Sequence, residues 1–92
     1  MNDKMIRKYL TEYLIHKYQG EILTRIINEF SIAYGDSRID IAVINGKLVG
    51  YEIKSDEDNL LRLPNQIKFY NEVFDEIWIV TQLKHLKSIN VE

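Results

Sequence analysis

The chain has 92 residues, a length that fits one domain with a modest hydrophobic core. Twelve Lys and Arg residues against 14 Asp and Glu residues give a formal net charge of −2, which excludes nucleic-acid binding through overall charge alone. The chain contains no cysteine, which excludes disulfides and cysteine nucleophiles and fits a cytoplasmic location. No apolar run is long enough to cross a bilayer, so no membrane partner is expected.

The first half of the chain predicts one helix and the start of a sheet. Asn2 or Asp3 can cap a helix that ends near Gly20. Its expected apolar stripe consists of Met5, Ile6, Tyr9, Leu10, Tyr13 and Leu14. A strand follows within residues 22–34, at least from Arg25 onward. Asn45-Gly46, between two apolar runs within residues 38–54, predicts a β-hairpin.

The second half predicts a helix and a buried strand. Apolar residues from Leu60 to Phe74 recur at helical spacing, with Pro64 in the first turn of the main helix. Residues 76–81 read as a strand, and residues 82–88 as a last short helix. A strand–helix–strand crossover makes the strand of Glu52 and the strand of Trp78 parallel, whereas the hairpin strands are antiparallel. The prediction is an α/β fold with a mixed four-stranded sheet flanked by helices.

Three charged residues, Asp40, Glu52 and Lys54, lie in otherwise apolar strands and therefore need an explanation. One explanation is a divalent metal held by the two carboxylates, with the lysine beside them. The other is that these are strand-end residues that face water. A two-residue hairpin loop would place Asp40 and Glu52 on opposite faces of the sheet. A three-residue loop or a bulge would place them on the same face, and Ile39 and Ile41 would then share the opposite face.

The pattern resembles the PD-(D/E)XK nuclease superfamily. Its signature is an acidic residue on the second core strand and an acidic–x–lysine element on the third, and Asp40 and Glu52-Ile53-Lys54 match it. Gln66 and Tyr70 match the Q-x3-Y element of the RecB-type subgroup, a spacing that places both side chains on one helix face. The surroundings of these motifs resemble a small bacterial family of PD-(D/E)XK-type proteins.

The resemblance implies a single restriction-endonuclease-like domain over residues 1–92, with an αβββαβ core. It implies an enzyme, a hydrolase that cuts phosphodiester bonds with Mg²⁺ or Mn²⁺, and DNA as the first choice of nucleic-acid partner. The implied catalytic residues are Asp40, Glu52, Lys54, Gln66 and Tyr70. The implied metal ligands are Asp40, Glu52, the Ile53 carbonyl and Glu29. Arg38 and Arg62 are expected to contact phosphate or to form ion pairs.

Two alternatives to a nuclease remain open on the sequence. One is a module that binds nucleic acid or a protein without cutting. The other is a subunit that works as a homo-oligomer, with an exposed sheet edge or the region of Trp78 as the contact. Clustered carboxylates repel one another, so Asp40→Asn is expected to keep or stabilise the fold unless Asp40 has a structural partner.

Overall fold

The computed structural model describes residues 2–32, 37–55 and 60–81. The elements are, in chain order, α1 (Asp3–Lys17), β1 (Arg25–Ile32), β2 (Ser37–Ile44), β3 (Leu48–Lys54), α2 (Leu63–Val73) and β4 (Glu76–Thr81). This confirms the predicted order of elements and the α/β class. The helix predicted for residues 82–88 lies outside the described residues. Within the described ranges, no helix is both long and apolar enough to span a bilayer.

Helix α1 contacts the sheet through a narrower stripe than the sequence predicted. The Asn2 side chain caps the helix by accepting a hydrogen bond of 2.9 Å from the Met5 N–H. The buried residues are Ile6, Leu10 and Leu14, at a constant spacing of four. Met5, Tyr9 and Tyr13 were predicted in the stripe but are exposed. A single ridge of the helix reaches the sheet, and these three side chains lie on its flank.

The four strands are arranged in the order β1-β2-β3-β4. The pair β2–β3 is antiparallel and β3–β4 is parallel, as predicted, and β1–β2 is antiparallel as well. Ile44 pairs with Leu48, so the hairpin loop has three residues, Asn45 to Lys47. Gly46 supplies the left-handed backbone of this loop, at φ +71. The ladder between β2 and β3 runs to Ile41 and Tyr51, the neighbours of Asp40 and Glu52 in the sequence.

Hydrophobic cores lie on both faces of the sheet. Under α1, the buried residues of β2 and β3 are Ile41, Val43, Val49, Tyr51 and Ile53. Under α2, Tyr70 and Phe74 pack with Ile32, Ile39 and Ala42.

The prediction that Ile39 shares a face with Ile41 is wrong, because the side-chain alternation of β2 is interrupted at Asp40. Glu29 and Asp40 do not pair, although the residues on both sides of them do. The backbone of Glu29 is left-handed, at φ +53, an uncommon conformation for a residue with a side chain. This local break lets Ile39 turn to the α2 side.

A side chain at Gly50 of β3 is expected to displace the neighbouring side chains. A Cβ atom there would collide with Ile39 Cδ1 and lie 2.9 Å from Ile77 Cδ1. We expect Gly50→Ala to lower the free energy of unfolding by about 1–3 kcal/mol, because overpacking forces neighbours out of their rotamers. Urea unfolding measures the change, and Asn71→Ala on the exposed side of α2 is the control. Equal midpoints for Gly50→Ala and the parent would contradict this packing.

Candidate functional site

A group of polar side chains, which we call the polar cluster, lies where β2 and β3 meet both helices. Its members are Arg7, Glu29, Asp40, Glu52, Lys54, Gln66 and Tyr70. Five elements contribute to it, and the five residues expected to be catalytic are all in it. Glu52 and Lys54 are buried, with 6% and 8% of their surfaces exposed, so the alternative of water-facing strand ends is wrong for these two residues.

One half of the polar cluster surrounds the Glu52 carboxylate. Gln66 Nε2 donates to Glu52 Oε2 over 3.3 Å, and Lys54 Nζ is 3.4 Å from the same oxygen. Tyr70 Oη lies 3.4 Å from Glu52 Oε1 and 3.1 Å from the Arg38 carbonyl oxygen. The spacing of four between Gln66 and Tyr70 places both side chains on one helix face, as predicted, and in the structure both reach the Glu52 carboxylate. These hydrogen bonds are long, so they hold the carboxylate loosely.

The environment of Glu52 favours its neutral form. Burial, and after it the negative charge of Asp40, together raise the pKa of the Glu52 carboxyl to about 7. The Lys54 ammonium and the Tyr70 hydroxyl act in the opposite direction and only partly offset burial. Burial likewise raises the pKa of the Tyr70 hydroxyl to about 12. At neutral pH Glu52 is therefore distributed between its charged and protonated forms.

The other half of the polar cluster surrounds Asp40. Its Oδ1 accepts from Arg7 Nη2 over 2.8 Å, and its Oδ2 accepts from the Ile53 N–H over 2.8 Å. Arg7 Nη1 also donates to the Asp40 carbonyl, over 3.1 Å. Both carboxylate oxygens thus have structural partners, which reverses the expectation for Asp40→Asn. We now expect that substitution to destabilise the fold, because Arg7 loses the charge that it neutralises.

Arg7 is the central residue that the sequence analysis missed. Besides Asp40 it contacts Glu29 Oε1 at 3.0 Å and Asp3 Oδ2 at 3.7 Å. Glu29 reaches Asp40 only through this arginine, and about half of the Glu29 side chain is exposed. The available signal was the position of Arg7 next to the buried Ile6, one turn after an acidic residue on α1.

The two residues expected to contact phosphate border the polar cluster. Arg38 and Arg62 are exposed, and neither guanidinium forms an ion pair with another residue in the described ranges. Their backbones contribute to the site, because the Arg38 carbonyl lies near Tyr70 Oη and the Arg62 carbonyl accepts from the Gln66 N–H over 3.0 Å. Their role toward phosphate stays a prediction.

The expected divalent metal has few free ligands here. Within residues 2–32, 37–55 and 60–81, no group of three or more Asp, Glu and His side chains could hold a metal ion. Glu29 and Asp40, two of the expected ligands, are engaged by Arg7. Binding of Mg²⁺ or Mn²⁺ therefore stays a prediction.

Comparison with known proteins points to a bacteriophage family. The chain matches the family model described as bacteriophage P4 protein cII over residues 1–91. It is 34% identical over 90 residues to protein cII of Enterobacteria phage P4. The alignment covers 98% of this chain and 34% of that relative, so the chain spans about a third of the relative's length. No solved structure matches the chain.

These matches overturn the assignment to the PD-(D/E)XK nucleases, and with it the expectations of a nuclease, a hydrolase and an enzyme. The motifs were misleading because five polar residues at loose spacings can serve a purpose other than catalysis. In this fold Asp40 and Glu52 connect the helices to the sheet through Arg7, Gln66 and Tyr70. The same residue types at the same spacings therefore do not distinguish a catalytic site from a structural one.

Proposed function

Because the chain belongs to the family of bacteriophage P4 protein cII, we propose that it is a regulatory domain that acts by binding a partner and not by catalysis. The observation that supports this proposal is the bonding of Asp40. Its two carboxylate oxygens are occupied by Arg7 and by the Ile53 N–H, both at 2.8 Å. A carboxylate bonded in this way serves to fix α1 on the sheet.

The polar cluster then gives the domain a rigid binding surface. Arg7 joins α1 to β2, and the Asp40 carboxylate joins β2 to β3. Gln66 and Tyr70 join α2 to Glu52 of β3. The short bonds of Arg7 and Asp40 thereby fix α1 on the sheet, and the longer contacts of Gln66 and Tyr70 add to the apolar packing that holds α2 on the opposite face. Rigid elements position surface groups for a partner more precisely than loops do.

We propose DNA as the partner, bound at Arg38 and Arg62. Planar guanidinium groups bind phosphate oxygens in a bidentate manner, and these two are exposed without an ion-pair partner among the described residues. The Tyr70 contact brings the Arg38 backbone to α2, and Arg62 lies one turn before Gln66 on the same helix. The net charge of −2 makes such a local patch necessary, because the chain as a whole does not attract DNA.

Fluorescence anisotropy with labelled duplex DNA at several salt concentrations tests this proposal. We expect Arg38→Ala and Arg62→Ala each to weaken binding severalfold, and to reduce the slope of log affinity against log salt by about 1. Lys68→Ala is the matched control, because Lys68 is an exposed cation of α2 between the inward-facing Gln66 and Tyr70. Absence of binding by the parent, or an equal effect of Lys68→Ala, would overturn the DNA proposal.

Three further expectations remain proposals. Mg²⁺ or Mn²⁺ at Asp40 and Glu52 is tested by melting temperatures in Mn²⁺ and in EDTA. The second proposal is that the core has the restriction-endonuclease-like architecture, which the αβββαβ order supports and which implies no activity. The third is that two copies of the chain associate.

A further inference from the structure

The two edges of the sheet differ in how they are protected against pairing with another strand. In β1 the ladder is interrupted at Glu29, and the strand carries the charges of Arg25 and Glu29. Interruptions and charges are devices by which natural sheets prevent edge-to-edge association. In β4 all six residues pair in continuous register with β3, and no proline interrupts them. Its only charged residue, Glu76, lies at its first position.

The centre of β4 presents apolar surface to solvent. Trp78 pairs with Tyr51 of β3, yet 55% of its surface is exposed while Tyr51 is buried. No described strand pairs with the outer side of β4, so a row of backbone N–H and C=O groups accompanies the exposed indole. An exposed tryptophan beside a strand edge that no described strand covers is typical of an interaction surface.

We propose that β4 pairs with β4 of a second copy of this chain, antiparallel and about a two-fold axis perpendicular to the sheet. Unpaired strand groups are best satisfied by another strand, because it supplies donors and acceptors in the matching repeat. A two-fold contact requires a strand that is complementary to itself. The central residues Ile77 to Val80 are uncharged, so two copies meet without repulsion.

The symmetry fixes which residues of the two copies face each other. A perpendicular two-fold axis leaves α1 of both copies on the same side of the joined sheet, so residues of equal parity lie opposite one another. Trp78 then faces either Trp78 or Val80 of the second copy, and both arrangements cover the indole. Glu76 lies away from the axis, where it keeps its ion pair with Lys47.

The joined edge is short, so the dimer is expected to be weak. A pair of six-residue strands buries less than the ~1,200 Å² at which standard interfaces begin. We therefore expect association at concentrations of roughly 10–100 μM, and a monomer well below them.

Trp78 is the only tryptophan of the chain, so its fluorescence reports on this edge directly. Sedimentation velocity and emission spectra of the full chain, over a concentration series, are the test. We expect the mass to rise from 10.9 kDa toward twice that value, and the emission maximum to shift to shorter wavelength in the same range.

Trp78→Lys and Trp78→Thr should both stay monomeric, with melting curves confirming that they fold. Leu61→Lys, which replaces an apolar residue that is 85% exposed outside the sheet, should dimerise like the parent. A parent that is monomeric throughout would overturn the proposal. So would dimers that persist in both Trp78 variants, or a dimer that Leu61→Lys abolishes.

Discussion

Glu52→Gln is expected to stabilise the folded state above pH 7 by about 1–3 kcal/mol and to leave its stability unchanged near pH 4.5. Glutamine has nearly the shape of the protonated glutamic acid but cannot ionise. In the parent, burial raises the pKa of Glu52 from 4.5 to about 7. Ionisation of the buried carboxyl therefore opposes folding in the parent and is absent in the variant.

The direction of the pH dependence follows from proton binding. Between pH 4.5 and about 7 the folded parent holds a proton on Glu52 that the unfolded chain has lost. The free energy of unfolding of the parent must then fall as the pH rises through this window. The interval between the pKa of 4.5 in the unfolded chain and about 7 in the folded parent corresponds to a loss of about 3 kcal/mol in the free energy of unfolding. This value is an upper bound for the stabilisation by Glu52→Gln.

Urea unfolding of parent and variant at pH 5, 6, 7 and 8 measures this difference. Glu12→Gln, an exposed position of α1, is the matched control and should show no such trend. A stability difference between Glu52→Gln and the parent that stays constant from pH 5 to pH 8 would show that Glu52 ionises at its ordinary pKa.

Arg7→Met is expected to lower the free energy of unfolding by about 2–4 kcal/mol. Methionine keeps part of the apolar stem but leaves Asp40 and Glu29 without the guanidinium. Only 19% of the Asp40 side chain is exposed, so its charge is poorly hydrated once the ion pair is lost. Adding Asp40→Asn to Arg7→Met should recover part of the loss, because the double variant no longer buries an unpaired charge.

The exposed ion pair between Lys47 and Glu76 provides the control. Lys47→Met should cause no measurable change, because pairs in full contact with water contribute little. Chemical unfolding of the parent, of Arg7→Met, of Asp40→Asn and of the double variant at one pH gives the complete double-mutant cycle. Lys47→Met is measured under the same conditions. A loss for Arg7→Met no larger than that for Lys47→Met would remove Arg7 from its central role in the polar cluster.

The sequence predicted the parts of the fold that depend on local pattern. Strand alternation and helix spacing are local, so the order of elements and the common helix face of Gln66 and Tyr70 could be predicted. The contact of Arg7 with Asp40 joins residues 33 positions apart, and no local pattern contains it. Ile39 was misplaced because the left-handed backbone at Glu29 interrupts an alternation that prediction assumes to be continuous.

The function was mispredicted for a different reason. Asp40, Glu52 and Lys54 were singled out as charges within apolar strands, but such charges can reflect either catalysis or internal bonding. The deciding contact, the ion pair of Asp40 with Arg7, is visible only in three dimensions. The family match, which covers nearly the whole chain, depends on many positions and is therefore more specific than the five motif residues.

The strand connections also imply an order of folding. Strands β1, β2 and β3 form a meander whose neighbours follow each other along the chain, whereas β4 joins β3 only after the α2 crossover. Pairings that close a longer loop cost more chain entropy and form later. During synthesis on the ribosome, the meander can pair before Trp78 has left the exit tunnel. Tryptophan fluorescence would therefore report the pairing of β4 during refolding and not the earlier pairing of the meander.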